Sequence, residues 1–155
     1  MKTTITASLS LRLDKPLRLC TSTFATFILF LSGCTVVSVQ PVVGLNENST
    51  ICIVENPRVL VGDFVSVVER RFAYHEIKTK IVANSSECEF TLDYTAERGF
   101  DFKPFLDYAL LNLRREGLLI GSAEYRNKGG LTITKYADTA TKLNPVIDEL
   151  LGKSH

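Results

Sequence analysis

From residue 50 onward the apolar positions change period several times, and each change predicts an element. Thr50 to Val54 is a short β-branched run closed by Asn56-Pro57, and reads as a first strand. Leu60, Val61, Phe64, Val65, Val67, Val68 and Phe72 then recur at helical spacing, with Ser66, Glu69 and Arg70 on the other side. This predicts an amphipathic helix over 61–74, with Asp63 in its first turn. Alternation returns over 76–82 around Ile77, Thr79 and Ile81, giving a second strand. Asn84-Ser85-Ser86 is a turn. Cys88, Phe90, Leu92 and Tyr94 alternate with Glu89, Thr91 and Asp93, the pattern of a half-buried strand. A connection over 101–104 leads to a long strand over 105–115. Glu116-Gly117 is a tight turn, and 118–127 returns as the hairpin partner. The stretch 131–135 reads either as a short edge strand or as irregular chain. Near the C-terminus Val146, Ile147, Leu150 and Leu151 share one helical face, with Thr139 or Asn144 as N-cap and Gly152 as terminator.

Strand, helix, strand, a three-stranded meander and a final helix make an α+β domain over 50–155. The expected architecture is two-layer: a mixed four- to five-stranded sheet with both helices on one face. The strand–helix–strand unit predicts parallel neighbours, and the uncovered face of the sheet is the natural place for a partner. The region 35–49 contains Pro41, Gly44, Asn46 and Asn48, which break any period, and reads as a tether.

The first 33 residues have another pattern. Lys2, Arg12, Lys15 and Arg18 precede an apolar stretch over 20–31, which Thr21, Ser22, Thr23 and Thr26 dilute. A comfortable transmembrane helix needs about 20 apolar residues, so this stretch has the length of a signal-peptide core. It ends in Leu31-Ser32-Gly33-Cys34. That ending resembles the lipobox of bacterial lipoprotein signal peptides. The resemblance implies cleavage before Cys34 and acylation of its thiol, so that the cysteine becomes a lipid-bearing N-terminus. An uncleaved anchor and an ordinary secretory signal are the competing readings. With Thr35 rather than Asp after the cysteine, the resemblance implies the outer membrane, with the domain facing the periplasm.

Removing 1–33 takes away four of the 18 basic and one of the 17 acidic residues, leaving 14 bases against 16 acids. This balance argues against nucleic acid as the main partner. The 122 residues that remain suffice for one small domain. Of four cysteines, Cys20 lies in the leader and Cys34 is the lipid site; Cys52 and Cys88 are either a disulfide or two buried thiols in strands. No spacing suggests a metal site or a cofactor-binding loop, and none is expected.

Candidate chemistry is sparse. Catalysis by a Ser-His-Asp arrangement would rest on His75, which otherwise suits a helix C-terminus. Glu97, Asp101 and Asp107 are either an acidic rim or solvated loop residues. Arg70-Arg71 and Arg114-Arg115 read as surface charges. Phe100, Phe102, Phe105 and Tyr108 cluster near one connection, as a partner-binding hot spot or as core at the end of the sheet. The outline resembles small envelope lipoproteins that assist lipopolysaccharide transport or activate peptidoglycan synthases. The resemblance covers topology and implies a non-catalytic binding or accessory module in envelope assembly, with an envelope protein as partner. The alternatives are a small periplasmic hydrolase and a secreted soluble binder or inhibitor.

Overall fold

Alternating side chains build one mixed sheet, and two amphipathic helices share its core. The computed structural model describes residues 35–45, 48–129 and 133–153. Within them lie β1 (Thr35–Gln40), β2 (Thr50–Val54), α1 (Phe64–Tyr74), β3 (Lys78–Val82), β4 (Phe90–Phe100), β5 (Pro104–Arg115), β6 (Leu118–Asn127), a 3-10 turn (Ile133–Tyr136) and α2 (Thr139–Leu150). Residues 1–33, read from the sequence as a leader, and Cys34 lie outside the described residues.

The strand order is β1-β6-β5-β4-β2-β3. β2 runs parallel to both β3 and β4, whereas β4, β5, β6 and β1 are successively antiparallel. The mixed α+β character matches the sequence pattern, but the sheet has six strands rather than four or five. The extra strand is β1, in the region read as a tether. Thr35 pairs with Asn127 and Gln40 with Ser122, so the ladder begins at the first described residue. The next segment is held as well. The Val42 amide donates to the Leu150 carbonyl at 2.8 Å, and Val42 lies so close to Gly121 that a Cβ there would meet its Cγ2 at 2.5 Å. Only a glycine on β6 leaves room for this chain to pass.

Other differences are local. β4 starts at Phe90 and extends to Phe100, beyond the alternation that marked it. Of the 131–135 stretch, the described residues 133–135 belong to a 3-10 turn. α2 begins at Thr139 with Asp138 as its cap: the Asp138 carboxylate accepts from the Thr141 amide at 2.7 Å. Pro145 therefore sits inside the helix, not at its first position. A proline there removes one backbone hydrogen bond. Complete burial of Leu143, Ile147 and Leu150 offsets that loss.

One core joins the layers. Phe64, Val67, Val68 and Phe72 of α1 and Leu143, Val146, Ile147 and Leu150 of α2 cluster with Ile51, Ile53, Leu92, Tyr94, Leu111 and Leu113 from the strands. The Phe64 and Tyr94 rings stack with centroids 5.2 Å apart. α1 ends in a Schellman arrangement: the Ile77 and Glu76 amides return to the Phe72 and Ala73 carbonyls, with Glu76 at φ 62°. Two bulges bend the sheet, where Asp107 and Ile120 are extra residues in β5 and β6.

A disulfide joins Cys52 in β2 to Cys88 before β4. It closes a loop of 36 residues around α1 and β3. The chain-entropy model values such a closure at about 3–4 kcal/mol. Reduction, or the double variant Cys52→Ser/Cys88→Ser, is expected to lower the free energy of unfolding by about 2–4 kcal/mol in urea titrations. An unchanged midpoint would mean that the loop is already ordered without the crosslink.

Candidate functional site

Three polar or aromatic regions stand out. The first is the junction of the two helices. Asp148 of α2 accepts from the Arg71 guanidinium through Nε and Nη2, and its Oδ1 lies 2.7 Å from His75 Nε2. The Tyr74 ring covers the guanidinium at 4.3 Å and meets the His75 ring edge-on. All three polar side chains are largely buried. Burial by itself would raise the Asp148 pKa; the hydrogen bonds and charges of Arg71 and His75 outweigh it and hold the carboxyl below its ordinary value. The hydrogen bond to Asp148 in turn raises Arg71.

Sequence spacing gave no hint of this cluster. Arg71 reads as a surface charge, yet it is paired across 77 residues. His75 has a carboxylate partner, as a catalytic dyad would. Among the described residues, however, no hydroxyl or thiol is hydrogen-bonded to it, and Arg71 shares the same carboxylate. The arrangement acts as a clamp between α1 and α2.

The second region is the β4–β5 hairpin. It does not bring the four sequence-predicted aromatics into one patch. Phe100 and Phe102 stand at the tip, 78% and 89% exposed. Phe105 is buried: its ring lies over Gly99, where a Cβ would meet it at 2.4 Å, and packs edge-on against Tyr136. Tyr108 is half-buried beneath the Arg126 guanidinium, 4.4 Å from its centroid. Phe105 is thus buried, and of the four only Phe100 and Phe102 are largely exposed.

The tip is tethered by ions. Asp101 accepts from Lys135 Nζ at 2.9 Å and from the Tyr136 hydroxyl at 3.3 Å. The Lys135 hydrogen bond lowers the Asp101 pKa, and the same bond raises Lys135. Behind them Lys142 is buried, donating to the Leu106 and Lys135 carbonyls. Burial pushes its ammonium pKa down. The acidic rim does not assemble: Asp101 is taken by Lys135, and Asp107 accepts from Asn127 at 3.4 Å. Among the described residues no three His, Cys, Asp or Glu side chains come together as for a metal.

The third region is an open groove of about 800 Å³ beside the disulfide, lined by Thr50, Lys80, Asn84, Glu87 and Phe90 among others. It is shallow and mixed in polarity. Among the described residues the hydroxyl it holds in a hydrogen bond, Ser86 Oγ, donates to the Asn84 amide oxygen and not to a base.

No protein-family model matches the chain, and no curated protein matches it in sequence. Solved structures do share the fold. The PelC dodecamer from Paraburkholderia phytofirmans superposes with a TM-score of 0.55 at 15% identity, over 77% of this chain and 98% of that one. A single-residue variant of PelC, in another crystal form, gives 0.51 at 16% identity, over 72% and 96%. The likeness is one of fold: a mixed α+β domain of nearly the same extent.

The helix clamp has a pH signature. Asp148 has a lowered folded-state pKa, so its contribution is complete above the unfolded carboxyl value, about 4, and fades as pH falls through the folded one. Asp148→Asn is expected to cost about 1–3 kcal/mol at pH 7. The gap between variant and parent should narrow below about pH 4 in parallel denaturant titrations. A gap independent of pH would mean that packing, not the ionised carboxylate, holds the helices.

Proposed function

We propose that the chain is an envelope lipoprotein, cleaved before Cys34 and acylated there, whose domain faces the periplasm from the outer membrane as a non-catalytic accessory module of envelope assembly. The observation that carries this reading is the run from basic segment to apolar stretch to Leu31-Ser32-Gly33-Cys34, directly ahead of the first described strand. Thr35 is already in the sheet, so cleavage before Cys34 would leave every described strand intact. Fold similarity to PelC adds support, and the dodecameric state of PelC makes a homo-oligomer the form in which we expect the domain to act.

The helices are read as lying on one face. The other face then presents Asp93, Thr95, Asn112, Arg114, Ser122 and Glu124, a polar surface suited to a protein or polymer partner. The hydrolase reading finds less support, because among the described residues no nucleophile is hydrogen-bonded to the His75–Asp148 pair, and Arg71 occupies the same carboxylate. A secreted soluble binder would keep the fold but leave the Cys34 thiol unmodified.

Labelling with a palmitate analogue in a Gram-negative host tests the anchor. The parent chain is expected to take the label and sediment with membranes. Cys34→Ala should lose both properties. A processed N-terminus bearing an unmodified thiol, or a chain that keeps its initiating methionine, would overturn the reading.

A further inference from the structure

The strand register places the exposed aromatic tip at the same end of the sheet as the point where the chain enters. Val36 pairs with Arg126, Arg126 with Tyr108, and Tyr108 with Glu97, so one row crosses four strands from β1 to β4. At the usual strand spacing its two ends are about 14 Å apart. β1 is antiparallel to β4, so its start and the end of β4 leave this row in the same direction. Phe100 lies three residues beyond Glu97, about 10 Å further along. Thr35 lies one residue beyond Val36 in that direction, paired with Asn127, and Cys34 is the residue before it in sequence.

The chemistry at this end suits a bilayer surface. Phe100 and Phe102 are large apolar side chains with no cover. Arg98, Lys103 and Lys128 are exposed beside them. Of the nearby acids, Asp101 is neutralised by Lys135, Asp107 accepts from Asn127, and Glu97 is exposed. The tip is also held in place, since Asp101 binds both Lys135 and Tyr136 of the 3-10 turn. Exposed aromatics flanked by cations match the layer where lipid headgroups meet acyl chains.

We propose that the tip of the β4–β5 hairpin, through Phe100 and Phe102, seats in the headgroup layer of the bilayer that holds the acyl chains on Cys34. The contact rests on the anchor reading. Its role is orientation, because acyl chains already supply the affinity. A single attachment point lets a domain swivel; a second one about 14 Å away fixes its tilt. The opposite hairpin, with Leu118 and Leu119 exposed, then points away from the membrane.

The chain has no tryptophan, so a single introduced indole reports its own surroundings. Phe102→Trp and Leu118→Trp replace exposed residues at opposite ends of the sheet, where neither packs in the core. Each full-length variant is produced in a Gram-negative host, recovered from membranes and reconstituted into phosphatidylethanolamine–phosphatidylglycerol vesicles with brominated acyl chains. The expected result is blue-shifted emission for Phe102→Trp, with at least about twofold quenching by the brominated lipid, beside water-like, unquenched emission for Leu118→Trp. If the Phe102→Trp protein floats with the vesicles while its indole emission stays water-like, the hairpin contact alone is overturned. Blue-shifted emission without quenching also overturns it, and assigns the tip to a protein surface such as a second copy. Protein that does not float with vesicles overturns the anchor, and this contact with it.

Discussion

The ladder between β1 and β6 is the constraint on which the rest of the molecule depends. Six consecutive residues pair from Thr35 to Gln40, and the chain then turns over Gly121 to bond the end of α2 through Val42. Each backbone hydrogen bond contributes only about 1 kcal/mol net. Together they turn what would be a loose leash into part of the sheet. An acyl group on Cys34 would therefore be one peptide bond from a rigid body. The sheet's orientation to the membrane would follow from where its strands end.

Long-range polar contacts tie the other elements to that sheet. Arg71, His75 and Asp148 join the helices, the disulfide ties β2 to the start of β4, and Asp101 with Lys135 fixes the β4–β5 tip. Lys142 braces the 3-10 turn against β5 through two backbone carbonyls. Each spans residues distant in sequence or closes a segment lacking regular structure. Apolar burial builds the core, and these contacts position the parts that the core does not reach.

How much of this was legible in the sequence depended on whether a segment has one wet face and one dry face. Phe90, Leu92 and Tyr94 alternate because β4 lies inside the sheet, and α1 shows its stripe because Phe64, Val68 and Phe72 face the core. β1 is an edge strand exposed on most of its residues, so Thr-Val-Val-Ser-Val-Gln carries no clean period, and Pro41 and Gly44 made the whole region look like linker. Pro145 pointed to a helix start because proline favours the first turn; tertiary burial overrode that preference. The site was less legible. Asp148 has no local signature, since its partners lie 77 and 73 residues away, and Lys142 bonds backbone carbonyls, one of them 36 residues away, which side-chain spacing does not reveal. The split between exposed Phe100 and Phe102 and buried Phe105 follows from Gly99, which opens a place for one ring only.

Amide hydrogen exchange across residues 35–40, in membrane-bound protein processed at Cys34, is the most direct test. If β1 is part of the sheet from its first residue, its ladder-bonded amides exchange as slowly as those of β6. Exchange at the rate of an unstructured peptide would restore a flexible leash between lipid and domain, and the orientation argued from the strand register would be lost.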